Sequence, residues 1–292
     1  MDQQYRIGLG DISATIDAQG AELCSLQADG AEYMWQAGPI WPRHAPVLFP
    51  IVGRLPGDQM RHDGKSSRMT QHGFARNRRF ELVERSATHC RLALDADAET
   101  LAAYPFRFRF EATYEVVEHG LRMTYVAINT GDSVLPASIG GHPAFQWPLP
   151  GSTDKLAHTL IFERPEPEPA PIRSVVGGLL QAESRPSPVA GRELHPTPEL
   201  FAADALIFDQ LASHSVRFAA PGTSALELSW ENCPYLGIWT KGDGDFLCIE
   251  PWHGISTPPE FDADFATKPG LMLIEPGGRN GIVITVRILA AG

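Results

Sequence analysis

Residues 106–117, FRFRFEATYEVV, alternate apolar and polar side chains without a break. Phe106, Phe108 and Phe110 share one face and Arg107, Arg109 and Glu111 the other. A helix would scatter these phenylalanines around its axis. An extended chain puts them all on one side, so the segment predicts a half-buried antiparallel strand. The turn EHG at 118–120 leads into LRMTYVAIN, which predicts a hairpin. The same reading covers AELCSLQ, ADG and AEYMWQ across 21–36. LALDA near 92, ALELSW near 225, YLGIWT near 235, DFLCIE near 245 and the terminal GIVITVRIL add further strands.

Helical patterns are scarce. DAETLAAYPF near 97 predicts one short helix ending before Pro105. Strands do not alternate with helices, which disfavours α/β folds and predicts an all-β sandwich or large barrel of antiparallel strands. Residues 163–200 break the pattern with ERPEPEPAPIRS and ESRPSPVAGRELHPTPEL, and predict a long surface loop. Strands flank it on both sides and no repeat of fixed period is present, so residues 1–292 read as a single domain.

The net charge of −11 argues against nucleic acid and anionic membrane surfaces as partners. Cys24, Cys90, Cys233 and Cys248 are far apart and form no C-x-x-C pair, so free thiols in a reducing compartment are expected. MDQQYRIGLG carries no secretory signal, and no apolar run approaches the ~20 residues of a membrane span. A cytoplasmic, soluble protein is the expectation.

Four stretches combine glycine or proline with a specific polar residue. FPIVGRLPGDQ at 49–59 carries Arg54, either a surface turn arginine or a binding group. TQHGFARN at 70–77 carries Gln71, His72 and Arg76, and by itself reads as a loop with a surface histidine rather than a site. In ASIGGHPAFQWPL at 137–149, two glycines let the backbone approach something closely before His142. Phe145 and Trp147 after it would supply an apolar wall for a sugar ring, or His142 is simply a core histidine. In FLCIEPWHG at 246–254, Glu250 ends an apolar run. Burial there would tune its pKa, whereas exposure would leave it ordinary.

Two histidines, a glutamate and an arginine make a general acid/base set that needs no nucleophile. No H-x-H, H-E-x-x-H or cysteine–histidine zinc spacing occurs, so no metal is expected. GDGD at 242–245 lacks the further acidic residues of a calcium loop and predicts a hairpin turn. Neither a P-loop nor a strand-linked G-x-G-x-x-G is present, and no cofactor is expected.

In order and spacing, PVLFPIVGRLPGD, TQHGFARNRRF, IGGHPAFQWPL and LCIEPWHGIS resemble the aldose 1-epimerase (galactose mutarotase-like) family. They are most similar to its shorter bacterial LacX-type branch, which lies near the hexose-6-phosphate 1-epimerases. The resemblance covers nearly the whole chain. It implies a large antiparallel β-supersandwich with a sugar in an open cleft across one sheet. It implies Glu250 as catalytic base, His142 as catalytic acid and His72 as a second active-site histidine near the ring oxygen. Arg54 would bind sugar hydroxyls, and Asp204, or Asp209 in its place, would hold others. Gln71 and Arg76 are further candidates for substrate contact, Arg76 for a hydroxyl or a phosphate. Trp252 and His253 are expected to shape the pocket. The implied activity is anomer interconversion of a hexose. The alternatives are a hexose-6-phosphate 1-epimerase, for which Arg76, Arg78 and Arg79 are the basic candidates, and a non-catalytic sugar-binding or sensor domain.

Overall fold

The structure is a computed structural model, and it describes residues 3–166 and 171–291. Phe108–Val117 and Gly120–Asn129 form the expected hairpin, paired from Phe108 with Asn129 to Val117 with Gly120. The burial of Phe108–Val117 alternates along the strand, with Phe108, Phe110, Ala112, Tyr114 and Val116 inward. The reversal itself sits one residue earlier than the sequence suggests. His119 takes the left-handed conformation at φ 58°, and Gly120 is already in the strand. A Cβ on Gly120 would stand 1.9 Å from the Val286 carbonyl oxygen, so this glycine serves close strand approach rather than the turn.

This hairpin lies within a nine-stranded sheet. On one side of it come Arg279–Leu289, Ala225–Glu231, Ser215–Ala219, Thr159–Phe162 and Glu193–Leu194. On the other come His89–Asp95 and Glu81–Arg85. A second sheet runs Leu179–Pro186, Pro171–Val176, Leu206–Phe208, Tyr235–Trp239, Phe246–His253, Ile139–Gly141 and Val47–Leu48, with Ala144–Gln146 also paired to Phe246–His253. Every ladder between named strands is antiparallel among the described residues. The two sheets meet across one apolar core that gathers Phe110, Tyr125, Leu247, Ile249, Ile284 and Val286. Gly141 marks the close contact, since a Cβ there would fall 2.5 Å from Ile284 and 3.4 Å from the Tyr125 ring. The fold is therefore the all-β antiparallel supersandwich expected.

The short helix is present as Ala98–Ala103, and Asp97 caps it by accepting from the Thr100 N–H at 2.7 Å. The loop expected at 163–200 is not a loop throughout. Pro171–Val176 and Leu179–Pro186 pair as a hairpin that extends the edge of the second sheet, while 167–170 lie outside the described residues. Its prolines sit at strand ends and on a sheet edge, where a missing N–H costs no ladder bond. Among the described residues, no helix is long and apolar enough to cross a membrane. All four cysteines are free.

Candidate active site

An interior strand of the second sheet, Phe246–His253, divides its side chains by period two. Leu247 and Ile249 enter the core between the sheets. Phe246, Cys248, Glu250 and Trp252 face the other way. The neighbouring strand Tyr235–Trp239 pairs Gly237 with Glu250 and Trp239 with Cys248. Loops close over this outer face and leave a pocket of about 190 Å³. Glu250 and His142 line it, with His72, Gln71, Arg76, Asp204 and Trp252 around them.

Glu250 is 2% exposed and His142 7% exposed. His142 Nε2 stands 3.2 Å from Glu250 Oε2. Burial pushes the Glu250 carboxyl well above its ordinary value; the Asp204 charge adds to this and the Trp252 indole offsets part of it. Burial pulls His142 down to about 3, with the Arg76 and Arg43 charges acting in the same direction. Each group alone is thus driven to its neutral form, and the pair holds one proton between them. The acceptor that a proton-donating His142 requires is Glu250 itself.

His72 is held from two sides. Its N–H donates to the Gly53 carbonyl at 2.7 Å. The Gly53 N–H donates to His72 Nδ1 at 3.2 Å. An Nδ1 that accepts carries no proton, so the neutral ring has its hydrogen on Nε2. Burial lowers the His72 pKa well below the ordinary value, which keeps the ring neutral. The backbone adopts φ 64° at His72 and 73° at Gly73. A Cβ at Gly73 would stand 2.2 Å from the Phe49 carbonyl oxygen, so this tight turn requires glycine.

The pocket wall is aromatic but differs from the one expected. Phe145 and Trp147 are fully buried in the core, because both project to the inner side of their strand and loop. Trp41, Trp239 and Trp252 line the pocket instead. Trp41 stacks on His142 with ring centres 5.1 Å apart, and Trp239 meets the same ring edge-on at 5.8 Å. Gly140 and Gly237 make room for Trp252, since a Cβ on either would lie within 2.6 Å of the indole. His253 turns away, its Nδ1 2.9 Å from the Asn232 carbonyl oxygen.

Asp204 lines the pocket, whereas Asp209 lies 3.6 Å from Arg173 and does not. Arg54 is not brought into the lining. Its Nε donates to Asp58 at 2.7 Å and its Nη1 to the Gly177 carbonyl at 3.1 Å, so it ties the turn after Gly53 to the hairpin tip. That hairpin, Pro171–Pro186, contributes Val175 and Gly178 to the wall. Arg78 pairs with Asp97 and Glu99 on the helix cap, away from the pocket. Arg43 carries no motif or periodic signal in the sequence. Its charge reaches His72, His142 and Arg76, and its Nη2 donates to Asn77 at 2.9 Å. Trp41 and Ser256 also gave no sequence signal, because neither belongs to a patterned strand.

The arrangement offers one shared proton, a fixed neutral N–H donor and flat apolar faces, which suits proton transfer on a polar ring-shaped ligand. The family model for aldose 1-epimerase matches residues 3–259. The chain is 30% identical over 268 residues to the chromosomal protein LacX of Lactococcus lactis subsp. lactis, covering 88% of this chain and 90% of that one. The X-ray structure of a galactose mutarotase related enzyme from Lactobacillus acidophilus matches with TM-score 0.89 at 29% identity, over 100% of this chain and 98% of that chain. A galactose mutarotase-like protein from Lactobacillus casei matches with TM-score 0.90 at 28% identity, over 98% and 100%.

Proposed function

The chain belongs to the aldose 1-epimerase family, and from that premise we propose that it interconverts the α and β anomers of a hexose by acid/base ring opening and reclosure. The observation that carries this reading is the buried His142–Glu250 pair, 3.2 Å apart on the floor of a tryptophan-walled pocket. One group must take the proton of the C1 hydroxyl while the other gives a proton to the ring oxygen. Glu250 acts as the base and His142 as the acid. In the empty pocket burial holds the shared proton on Glu250. Transfer to His142 creates the working ion pair, whose mutual attraction offsets part of the cost of its two charges. Ring opening breaks the C1–O5 bond, the aldehyde turns about C1–C2, and reclosure on its other face returns both protons. No cofactor enters. His72 donates through Nε2–H to oxygen, and Asp204 and Gln71 take up hydroxyls. Arg54 acts one step removed, by holding the Gly53 turn on which His72 is seated.

A second reading within the same chemistry rests on Arg43 and Arg76. Burial and the neighbouring Arg43 charge lower Arg76 to about 10. Among the described residues, neither guanidinium has a carboxylate within 4.0 Å, in a chain with 35 acidic and 24 basic residues. A lining Arg76 with the Arg43 charge behind it favours an aldose carrying an anionic group such as a 6-phosphate.

Exchange NMR at the anomeric protons, with a panel of free and 6-phosphorylated hexoses, tests both readings. Faster α/β exchange of at least one sugar is expected. If the phosphorylated sugars lead, Arg76→Met should slow them and leave free hexoses unchanged. No acceleration of any sugar would sink the enzymatic reading and favour a sugar-binding domain.

A further inference from the structure

Cys248 precedes Glu250 by two residues on the same outward face of Phe246–His253 and is fully buried beneath Trp41 and Trp239. The proposed reaction makes no use of it. Yet one ring nitrogen of His142, the Cys248 sulfur and one Glu250 oxygen all lie within 4.8 Å of one another. The His142–Glu250 separation of 3.2 Å is close to the edge of a tetrahedron drawn around zinc with ligand bonds of about 2.0–2.1 Å, roughly 3.3 Å. An imidazole, a thiolate and a carboxylate together suit zinc and similar soft or borderline cations rather than magnesium or calcium, which take oxygen alone. His142 Nδ1, in a ring 7% exposed, has no hydrogen-bond partner, so no second bond fixes which nitrogen faces the other two donors. Three protein donors leave a fourth position open, and His142 and Glu250 both line the pocket from which an ion would arrive.

We propose that His142, Cys248 and Glu250 form a three-donor site for a thiophilic divalent cation of the zinc class, and that the bound ion switches the enzyme off. The second half rests on the epimerase reading, because the ion occupies the lone pairs that the acid/base pair needs. On binding, the hydrated cation sheds water, and the thiol proton and the proton shared by His142 and Glu250 pass to solvent. Nothing is oxidised or reduced. Sugar and cation exclude one another, and capture strengthens as pH rises because protons are released. The sequence hid this site, since Cys248 and Glu250 come from one strand and His142 from a loop more than a hundred residues away.

The test uses the whole chain, stripped with a chelator and titrated with Zn²⁺ by calorimetry and by anomeric exchange, with Co²⁺ as a spectroscopic probe. The expected result is one tight Zn²⁺ per chain, exchange that falls in step with occupancy, and full recovery on adding chelator. Co²⁺ should show a thiolate charge-transfer band. Cys248→Ser should keep metal-free exchange within about 2-fold and require roughly 10-fold more Zn²⁺ for inhibition. The half-buried group of His62, Asp63 and Asp264, which lacks sulfur, is the competing site. His62→Ala should change nothing. Equal inhibition of wild type and Cys248→Ser, loss of inhibition in His62→Ala, or no thiolate band would each overturn the proposal. Should Cys248→Ser not fold, Cys248→Ala and the wild-type cobalt spectrum still decide. If no sugar exchanges at all, the epimerase reading has failed, while calorimetry and the cobalt band still judge the metal site.

Discussion

At the scale of single residues, one buried proton carries the account. Burial moves His142 down to about 3 and Glu250 up from the ordinary carboxylate value of 4.5. The one-proton form of the pair spans the interval between those two positions. Adding a second proton is opposed by the lowered imidazole, and removing the last is opposed by the raised carboxyl. The kcat/KM profile should therefore show no acid limb at 6.5, the ordinary imidazole value. A limb there would mean that a solvated histidine controls the reaction, against this assignment. His72 supports the same chemistry from a different direction. With its Nδ1 occupied by the Gly53 N–H, it donates at neutral pH and never competes for the shared proton. His72→Phe removes the donor and also the acceptor of the Gly53 N–H, and should lower the anomeric exchange rate by about 10²-fold and stability by about 1–3 kcal/mol.

At the scale of elements, the strand Phe246–His253 does two jobs through its period of two. It buries Leu247 and Ile249 in the core and presents Glu250 and Trp252 to the pocket. Gly237 is the opposing element's contribution, because a Cβ there would lie 2.5 Å from the Trp252 ring. Gly237→Ala should push the indole into the pocket, raising KM for the sugar and costing about 1–3 kcal/mol of stability. Exchange rates against sugar concentration, with a denaturation curve, measure both effects. These elements were also the legible part of the sequence. Alternation is a local signal, so FRFRFEATYEVV, GIVITVRIL and DFLCIE reported their strands directly. The pocket was less legible, because loops build most of its wall. Trp41 and Arg43 sit in a loop with no period, and nearness to His142 in sequence marks Phe145 and Trp147 as wall residues although both pack into the core. The Pro171–Pro186 hairpin hides in a proline-rich stretch because edge strands tolerate proline. The four motifs did locate Glu250, His142 and His72, but whether Arg54 faces a sugar depends on Asp58 and Gly177, which no pattern reveals.

At the scale of the whole molecule, the pocket depends on segments held together across the chain. The loop after Phe246–His253 binds the Arg54 segment: the Arg54 N–H donates to Ser256 Oγ at 3.1 Å, and Thr257 Oγ1 donates to the Arg54 carbonyl at 3.0 Å. The same loop receives the Leu180 N–H of the hairpin at the Thr257 carbonyl, 3.0 Å away. Lys268, 3% exposed, anchors it by donating to the Ile255 carbonyl. Burial lowers this lysine from 10.5 to about 7. Between those values the unfolded chain binds one proton more than the folded chain, so stability rises with pH. Below pH 7 the full cost of the buried charge is present. Burial raises all four thiols from their ordinary 9.0, so they begin to oppose the rise about one pH unit below that value. From about pH 7 to 8 the stability read from urea unfolding should climb, with a slope of at most about 1.4 kcal/mol per pH unit, and Lys268→Met should abolish the climb. The central claim is anomer exchange by the Glu250–His142 pair, and it meets its most direct test in anomeric exchange NMR on wild type and Glu250→Gln. Gln keeps the shape of Glu250 and removes its basicity. Accelerated exchange by wild type is expected, with a loss of about 10²–10⁴-fold in a variant that still melts as a folded protein. Undiminished exchange in folded Glu250→Gln would contradict that claim.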